Sequence, residues 1–156
     1  MKTIVAGYDG TRAAEHALTR AADLARAFEA KVIVVSVVTP QPVATPGAFG
    51  LVPYYYPATE AHRRIDEALL QQHREHVQAF FAGLDVPVEF AGVTGEPVDE
   101  IVEAADAHDA DLIVVGTREP GFLERLLGGS VSGGVARHAH CDVLIVHPPE
   151  QTLGGS

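Results

Sequence analysis

The sequence predicts a doubly wound α/β domain on a five-stranded parallel sheet with helices on both faces. Three observations predict it. Five short apolar runs are spread along the 156 residues, at 3–8, 32–38, 86–90, 111–116 and 142–146. Four of the five are near-continuous Val, Ile and Leu, which is how strands covered on both faces read. Helical patterns lie between the runs, giving the order βαβαβαβαβ, and strands alternating with helices imply right-handed crossovers in a parallel sheet.

The first run meets an acid at Asp9, and a helix is predicted over 11–29. Its apolar positions Ala14, Ala17, Leu18, Ala21, Leu24, Ala25 and Phe28 recur at three- and four-residue steps. After the second strand, residues 39–59 collect Pro40, Pro42, Pro46, Pro53 and Pro57, with Gly47, Gly50 and the run Tyr54, Tyr55, Tyr56. This reads as an irregular loop, longer than compact domains hold without a reason. It follows a strand on the ligand side, so it is either a lid or a variable surface excursion. A second helix over 60–84 carries Leu69, Leu70, Val77, Phe80, Phe81 and Leu84 on one face. The run 86–90 alternates, with Glu89 between apolar neighbours, and fits a sheet edge. Pro97 opens a third helix, where its missing N–H costs nothing. That helix carries Val98, Ile101, Val102 and Ala105 to about His108. Ser130 is the expected N-cap of a fourth helix ending near Ala139. One domain is expected over 1–148, with a flexible tail at 149–156.

Composition excludes several functions. Apolar residues make up 47% and charged residues 21%, and the net charge is −10. Nucleic acid and anionic membranes both need a basic footprint, so neither is an expected partner. Cys141 is the single cysteine, with neither a disulfide partner nor a companion for a thiolate metal site. Beside a core strand it reads as a buried, inert thiol. The N-terminal apolar run is too short for a signal sequence and no stretch approaches a membrane span, so a soluble cytoplasmic protein is expected.

Ligands of doubly wound sheets bind beyond the carboxyl ends of the strands, which here means the turns after Tyr8, Val38 and Gly116. The richest of these regions is 111–132. A strand ends at Gly116, and after a loop the pair Gly128 and Gly129 opens a helix at Ser130. Unpaired amides and the helix dipole favour an anion there, glycines let the backbone approach it, and Ser130 and Ser132 add hydroxyls. A phosphate site is the reading. A Walker A motif is absent, and the first turn, Gly7-Tyr8-Asp9-Gly10-Thr11, lacks the dinucleotide-binding glycine pattern.

The segment resembles the Gly-x2-Gly-x9-Gly-Ser/Thr signature of the universal stress protein family. Gly116 matches the first glycine, Gly129 the third and Ser130 the hydroxyl. The strand 111–117, the last strand 141–147, the turn at Asp9-Gly10-Thr11 and Gly95-Glu96-Pro97 are similar to the family as well, so the resemblance covers about 2–148. It implies an adenine nucleotide alpha hydrolase-like fold with strand order 3-2-1-4-5. It implies ATP, with Mg2+, in a stress-response or signalling module. Gly7, Asp9 and Val37 would border the adenine. Gly116, Gly129, Ser130 and Val131 would frame ribose and phosphates, with Ser132 and Arg118 beside them. Each position also has a plainer reading: Asp9 as a brace of its turn, Val37 as core, Ser130 as N-cap alone. The second signature glycine is replaced by Glu119, which places a carboxylate near the expected phosphates; either Arg118 and Arg125 offset it, or Glu119 turns outward or helps hold a metal ion.

The family also implies a homodimer through the last strand, Val143, Leu144, Ile145 and Val146, and an unpaired apolar edge there would invite aggregation. Of the eight histidines, His73 and His76 share a helix face without an evident third metal ligand, and a solvated or half-buried face is the reading. His138 and His140 flank the end of the last helix, and Asp106 and Asp109 are expected on a solvent face. No Ser-His-Asp grouping or metal site is legible, so a binding module is expected and not an enzyme, with any ATP hydrolysis slow. The alternative is a dimeric protein-interaction module without nucleotide.

Overall fold

The computed structural model describes residues 1–40, 43–54, 59–117 and 130–149. In chain order its elements are β1 (Thr3–Gly7), α1 (Arg12–Phe28), β2 (Lys31–Val38), β3 (Val43–Gly47), β4 (Gly50–Tyr54), α2 (Glu60–Phe81), β5 (Val88–Thr94), α3 (Pro97–Ala107), β6 (Leu112–Gly116), α4 (Val131–His138) and β7 (Asp142–Val146). Five strands form a parallel sheet in the order β5-β2-β1-β6-β7, which is the expected 3-2-1-4-5 once β3 and β4 are set aside.

The continuous apolar runs follow from burial on both faces. Ile4, Ala6, Val32, Val34 and Val114 face α1 and α2, packing with Ala17, Leu18, Ala21, Val77 and Phe81. Val5, Ile33, Val35, Ile113 and Val115 face α3 and α4, packing with Ile101, Ala105 and Val135. The helix α1 buries a stripe of alanines, whose small side chains let a helix lie close on a sheet. Thr11 caps it, its Oγ1 accepting from Ala14 N at 3.2 Å. Phe28, placed on the buried face by its spacing, is instead 53% exposed in the last turn. In α2 only Val77 and Phe81 are buried, and Leu69 is exposed.

The sequence reading missed two features. The third sheet strand begins at Val88 and runs on to Thr94, because β2 offers pairing partners as far as Val38. It lies at the sheet edge, as its alternation predicts. The segment 39–59 is not wholly irregular: β3 and β4 pair as an antiparallel hairpin, Val43 opposite Tyr54 and Gly47 opposite Gly50. Prolines argued against strands, yet each strand of a two-stranded ladder has a free edge, where proline is tolerated. Gly50, at φ +121°, closes the two-residue turn. Tyr55, Tyr56 and the tail from residue 150 lie outside the described residues.

Candidate functional site

At the carboxyl end of the sheet, β1 and β6 stop side by side and a gap opens beyond them. The gap is an open cleft whose empty space, counted with its mouth and the adjoining solvent, is about 710 Å³. Its walls come from the end of β1 and its turn, from Val35, Val37 and Thr39 of β2 and its exit, from Val115 and Gly116 of β6, and from the first turns of α3 and α4. Seven expected residues line it together: Gly7, Asp9, Val37, Gly116, Ser130, Val131 and Ser132. Arg118 and Gly129, and with them Glu119, Arg125 and Gly128, lie outside the described residues.

Each wall has a local cause. Gly116 is fixed by packing: a Cβ there would sit 2.5 Å from the Ala13 carbonyl oxygen, so only glycine lets β6 end against the first turn of α1. A Cβ at Gly7 would meet Ile101 Cδ1 at 3.1 Å and Val115 Cγ1 at 3.3 Å, and its absence keeps the cleft floor low. Asp9 braces its turn, Oδ1 accepting from Thr11 N at 3.0 Å and Thr11 Oγ1 at 2.6 Å. Gly10 supplies the left-handed φ of +80° the turn requires. Ser130 caps α4, accepting from Gly133 N at 3.0 Å, and its Oγ lies 3.2 Å from that of Ser132. The plainer readings of Asp9 and Ser130 are therefore realised, and both residues also face the cleft. The start of α4 presents the positive end of its dipole to the same space, while Arg137 and His138 occupy its last turn.

The cleft floor is apolar from β2, and its rim carries hydroxyls, one carboxylate and a helix N-terminus. The universal stress protein family model matches residues 1–147. The chain belongs to that family.

Among its relatives, a universal stress protein of Mycobacterium tuberculosis strain H37Rv is 39% identical over 146 residues, spanning 94% of this chain and 96% of the relative. One from Methanocaldococcus jannaschii is 35% identical over 153 residues, spanning 96% and 84%. The crystal structure of a universal stress protein in complex with cAMP superposes with a TM-score of 0.66 at 33% identity, covering 94% of this chain and 97% of that one. UspA from Lactobacillus plantarum shares the fold, with a TM-score of 0.73 at 23% identity over 93% and 97%.

Part of this universal stress protein's cleft lies outside the positions the family resemblance implies. Tyr8, Thr11 and Ala14 line it beside Asp9, and Pro97 and Ile101 line it from α3. The signal existed, since Thr11 lies in the quoted turn and Val35 is two residues from Val37 on the same strand face.

The opposite face of the turn is polar and filled. His73 Nδ1 lies 2.6 Å from Ser36 Oγ, joining α2 to β2. Tyr8 meets His73 edge-on at 5.1 Å and stacks on His76 at 5.7 Å. Its hydroxyl donates to Glu15 Oε1 at 2.9 Å, and the same oxygen pairs with His76 Nε2. Burial, reinforced by Glu15, drives the Tyr8 phenol far above its ordinary value. Burial pushes His73 down, opposed by Asp9 and assisted by His76. His73 is half-buried, as its position on the helix predicts. Among the described residues no group of three or more side chains is arranged to hold a metal. Ser36 is 1% exposed, which closes its hydroxyl to any substrate.

Other sequence readings resolve simply. Asp106 is solvent-facing and pairs with His140 at 3.0 Å. Cys141 is partly rather than fully buried, because it precedes an edge strand, and burial raises its thiol. Among the described residues no helix is long and apolar enough to cross a membrane.

Proposed function

We propose that this universal stress protein binds an adenine nucleotide in the cleft and that occupancy, not turnover, is its output. The observation that carries the reading is the convergence of Gly7, Asp9, Val37, Gly116, Ser130, Val131 and Ser132 on one open space. The cAMP complex of a protein 33% identical over 94% of this chain supports the same ligand class. The base would lie over Val37, between the end of β1 and the start of α3. Ribose and phosphate would reach Gly116 and the amides and hydroxyls at the start of α4.

ATP with Mg2+ is the proposed physiological ligand, with binding passed to a partner as a shift in population of the chain's states. The proposed active form is a cytoplasmic homodimer. Its support is β7, a sheet edge whose Val143, Leu144 and Ile145 are only partly covered. Light scattering on the eluting protein tests this, with a dimer mass expected and a monomer mass contradicting it.

A second reading, an interaction module without nucleotide, is favoured by Glu119 in place of the second signature glycine. A carboxylate beside a triphosphate is repulsive in a partly desolvated site. Titrating stripped protein with ATP and magnesium, and separately with cAMP, decides. Saturable binding supports the nucleotide module. No binding by wild type, with binding gained in Glu119→Gly, supports the second reading.

A further inference from the structure

The histidine cluster takes no part in the family signature, yet it packs against Tyr8 and beside Gly10, in the segment that carries the cleft residues Asp9 and Thr11. Ser36 holds the imidazole of His73 through Nδ1 at 2.6 Å. The opposite nitrogen is aimed at the turn: a Cβ on Gly10 would lie 3.0 Å from His73 Nε2. Gly10 is flanked by Asp9 and Thr11, both cleft residues, which are hydrogen-bonded to each other. Tyr8, the residue entering the turn, packs edge-on against the same ring. An anchored ring thus fills the space a side chain at Gly10 would occupy, in a turn whose neighbours Asp9 and Thr11 line the cleft.

We propose that His73 is a positioning residue for the nucleotide cleft, an imidazole anchored by Ser36 that backs the Asp9-Gly10-Thr11 turn. The proposal rests on the adenine-nucleotide reading of the cleft. The groups facing the ring are Tyr8 and Asp9 from β1 and its turn, Glu15 from α1 by way of Tyr8, Ser36 from β2, and His76 from α2 itself. Burial holds the ring neutral to lower pH than an exposed histidine. Once protonated, both ring nitrogens are donors and the cation attracts Asp9. That pull competes with the bonds from Asp9 to Thr11 and moves the cleft wall. Nucleotide affinity therefore falls as pH drops below about 6.5.

The test uses cAMP as the probe, because its phosphodiester does not titrate between about pH 5.5 and 7.5, so any response in that window belongs to the protein. Affinity is measured calorimetrically across that range for wild type, His73→Ala and His73→Gln, with thermal melts of the ligand-free proteins alongside. His73→Ala is expected to bind about tenfold more weakly near pH 7.5, the scale of one lost positioning contact. His73→Gln still reaches the turn but carries no titrating ring. It is expected to bind within about threefold of wild type and to stay flat with pH, while wild type weakens progressively as pH drops towards 5.5. If His73→Ala does not fold, the wild-type and His73→Gln pH series decides alone. Binding by His73→Ala equal to wild type, or a pH response retained in full by His73→Gln, overturns the proposal while leaving the cleft reading intact. Wild type that binds neither cAMP nor ATP overturns both.

Discussion

The two faces of the sheet meet at one turn, Asp9-Gly10-Thr11, and they are finished in opposite ways. On the α3–α4 side the strand ends are left open, lined by glycines, valines and hydroxyls. On the α1–α2 side the same strand ends are closed by Tyr8, His73, His76 and Glu15, which satisfy one another. No buried side-chain polar atom among the described residues lacks a partner. The difference teaches that polar residues do two jobs here. Those of the filled side bond across elements behind the turn, and Asp9, Ser130 and Ser132 of the open side bond locally while also facing the cleft. On the proposed nucleotide reading, a turn supported from behind would give a site formed before the ligand arrives, lowering the ordering cost of binding.

The contrast breaks most completely at Gly116. Gly116→Ala drives a Cβ into the backbone of Ala13, and backbone cannot yield as a side-chain tip can. A loss of about 2–3 kcal/mol in urea unfolding is expected, together with loss of cleft binding. An unchanged midpoint would show that the close approach is not needed.

Ser130→Ala comes next. It removes the cap from Gly133 N and a hydroxyl from the cleft, so about 1 kcal/mol of stability should go, with weaker nucleotide binding. Stability loss without any change in affinity would reduce Ser130 to a cap.

A smaller effect separates the faces by pH. Folding lowers the affinity of His73 for a proton below its ordinary value of 6.5, so below that pH the unfolded chain binds more protons than the folded one. Ligand-free stability should therefore fall as pH drops below 6.5, and His73→Gln should lose that part of the slope. An identical slope in both proteins would place the titration elsewhere.

The smallest expected effect is at Glu15. Glu15→Gln removes the carboxylate that accepts the Tyr8 hydroxyl, and the pair with His76 is half-exposed and worth only about 0.5 kcal/mol. The phenol should titrate at lower pH than in wild type, read from its ultraviolet difference spectrum, since only burial and the Asp9 charge would then hold it up. A phenol that does not move would show that Glu15 adds nothing to burial.

The sheet was legible because strands covered on both faces must be continuously apolar, and Ile4, Val5 and Ala6 or Val32, Ile33, Val34 and Val35 have no other stable home. The cleft residues were legible for a different reason, their resemblance to the family: Gly7 and Gly116 answer contacts made across the fold, with Ile101 and Val115 and with Ala13, and only the hydroxyl at Ser130 answers a local cap. The hairpin β3–β4 was not, because Pro46 and Pro53 read as strand breakers until the two-stranded geometry is known. The histidine cluster was only half legible. Spacing put His73 and His76 on one face, but their partners Tyr8, Glu15 and Ser36 arrive from three other elements, and no local pattern records a contact across 37 residues. Phe28 shows the converse error, a periodic apolar residue that the end of α1 leaves in solvent.

The central claim is that the open side of the turn is an adenine-nucleotide site, and calorimetric titration of nucleotide-stripped protein with ATP and magnesium, repeated with cAMP, tests it most directly. Saturable binding at about one site per chain, weakened in Ser130→Ala, is the predicted result. A folded protein that gives no heat and no thermal stabilisation at millimolar concentrations of either nucleotide would contradict it.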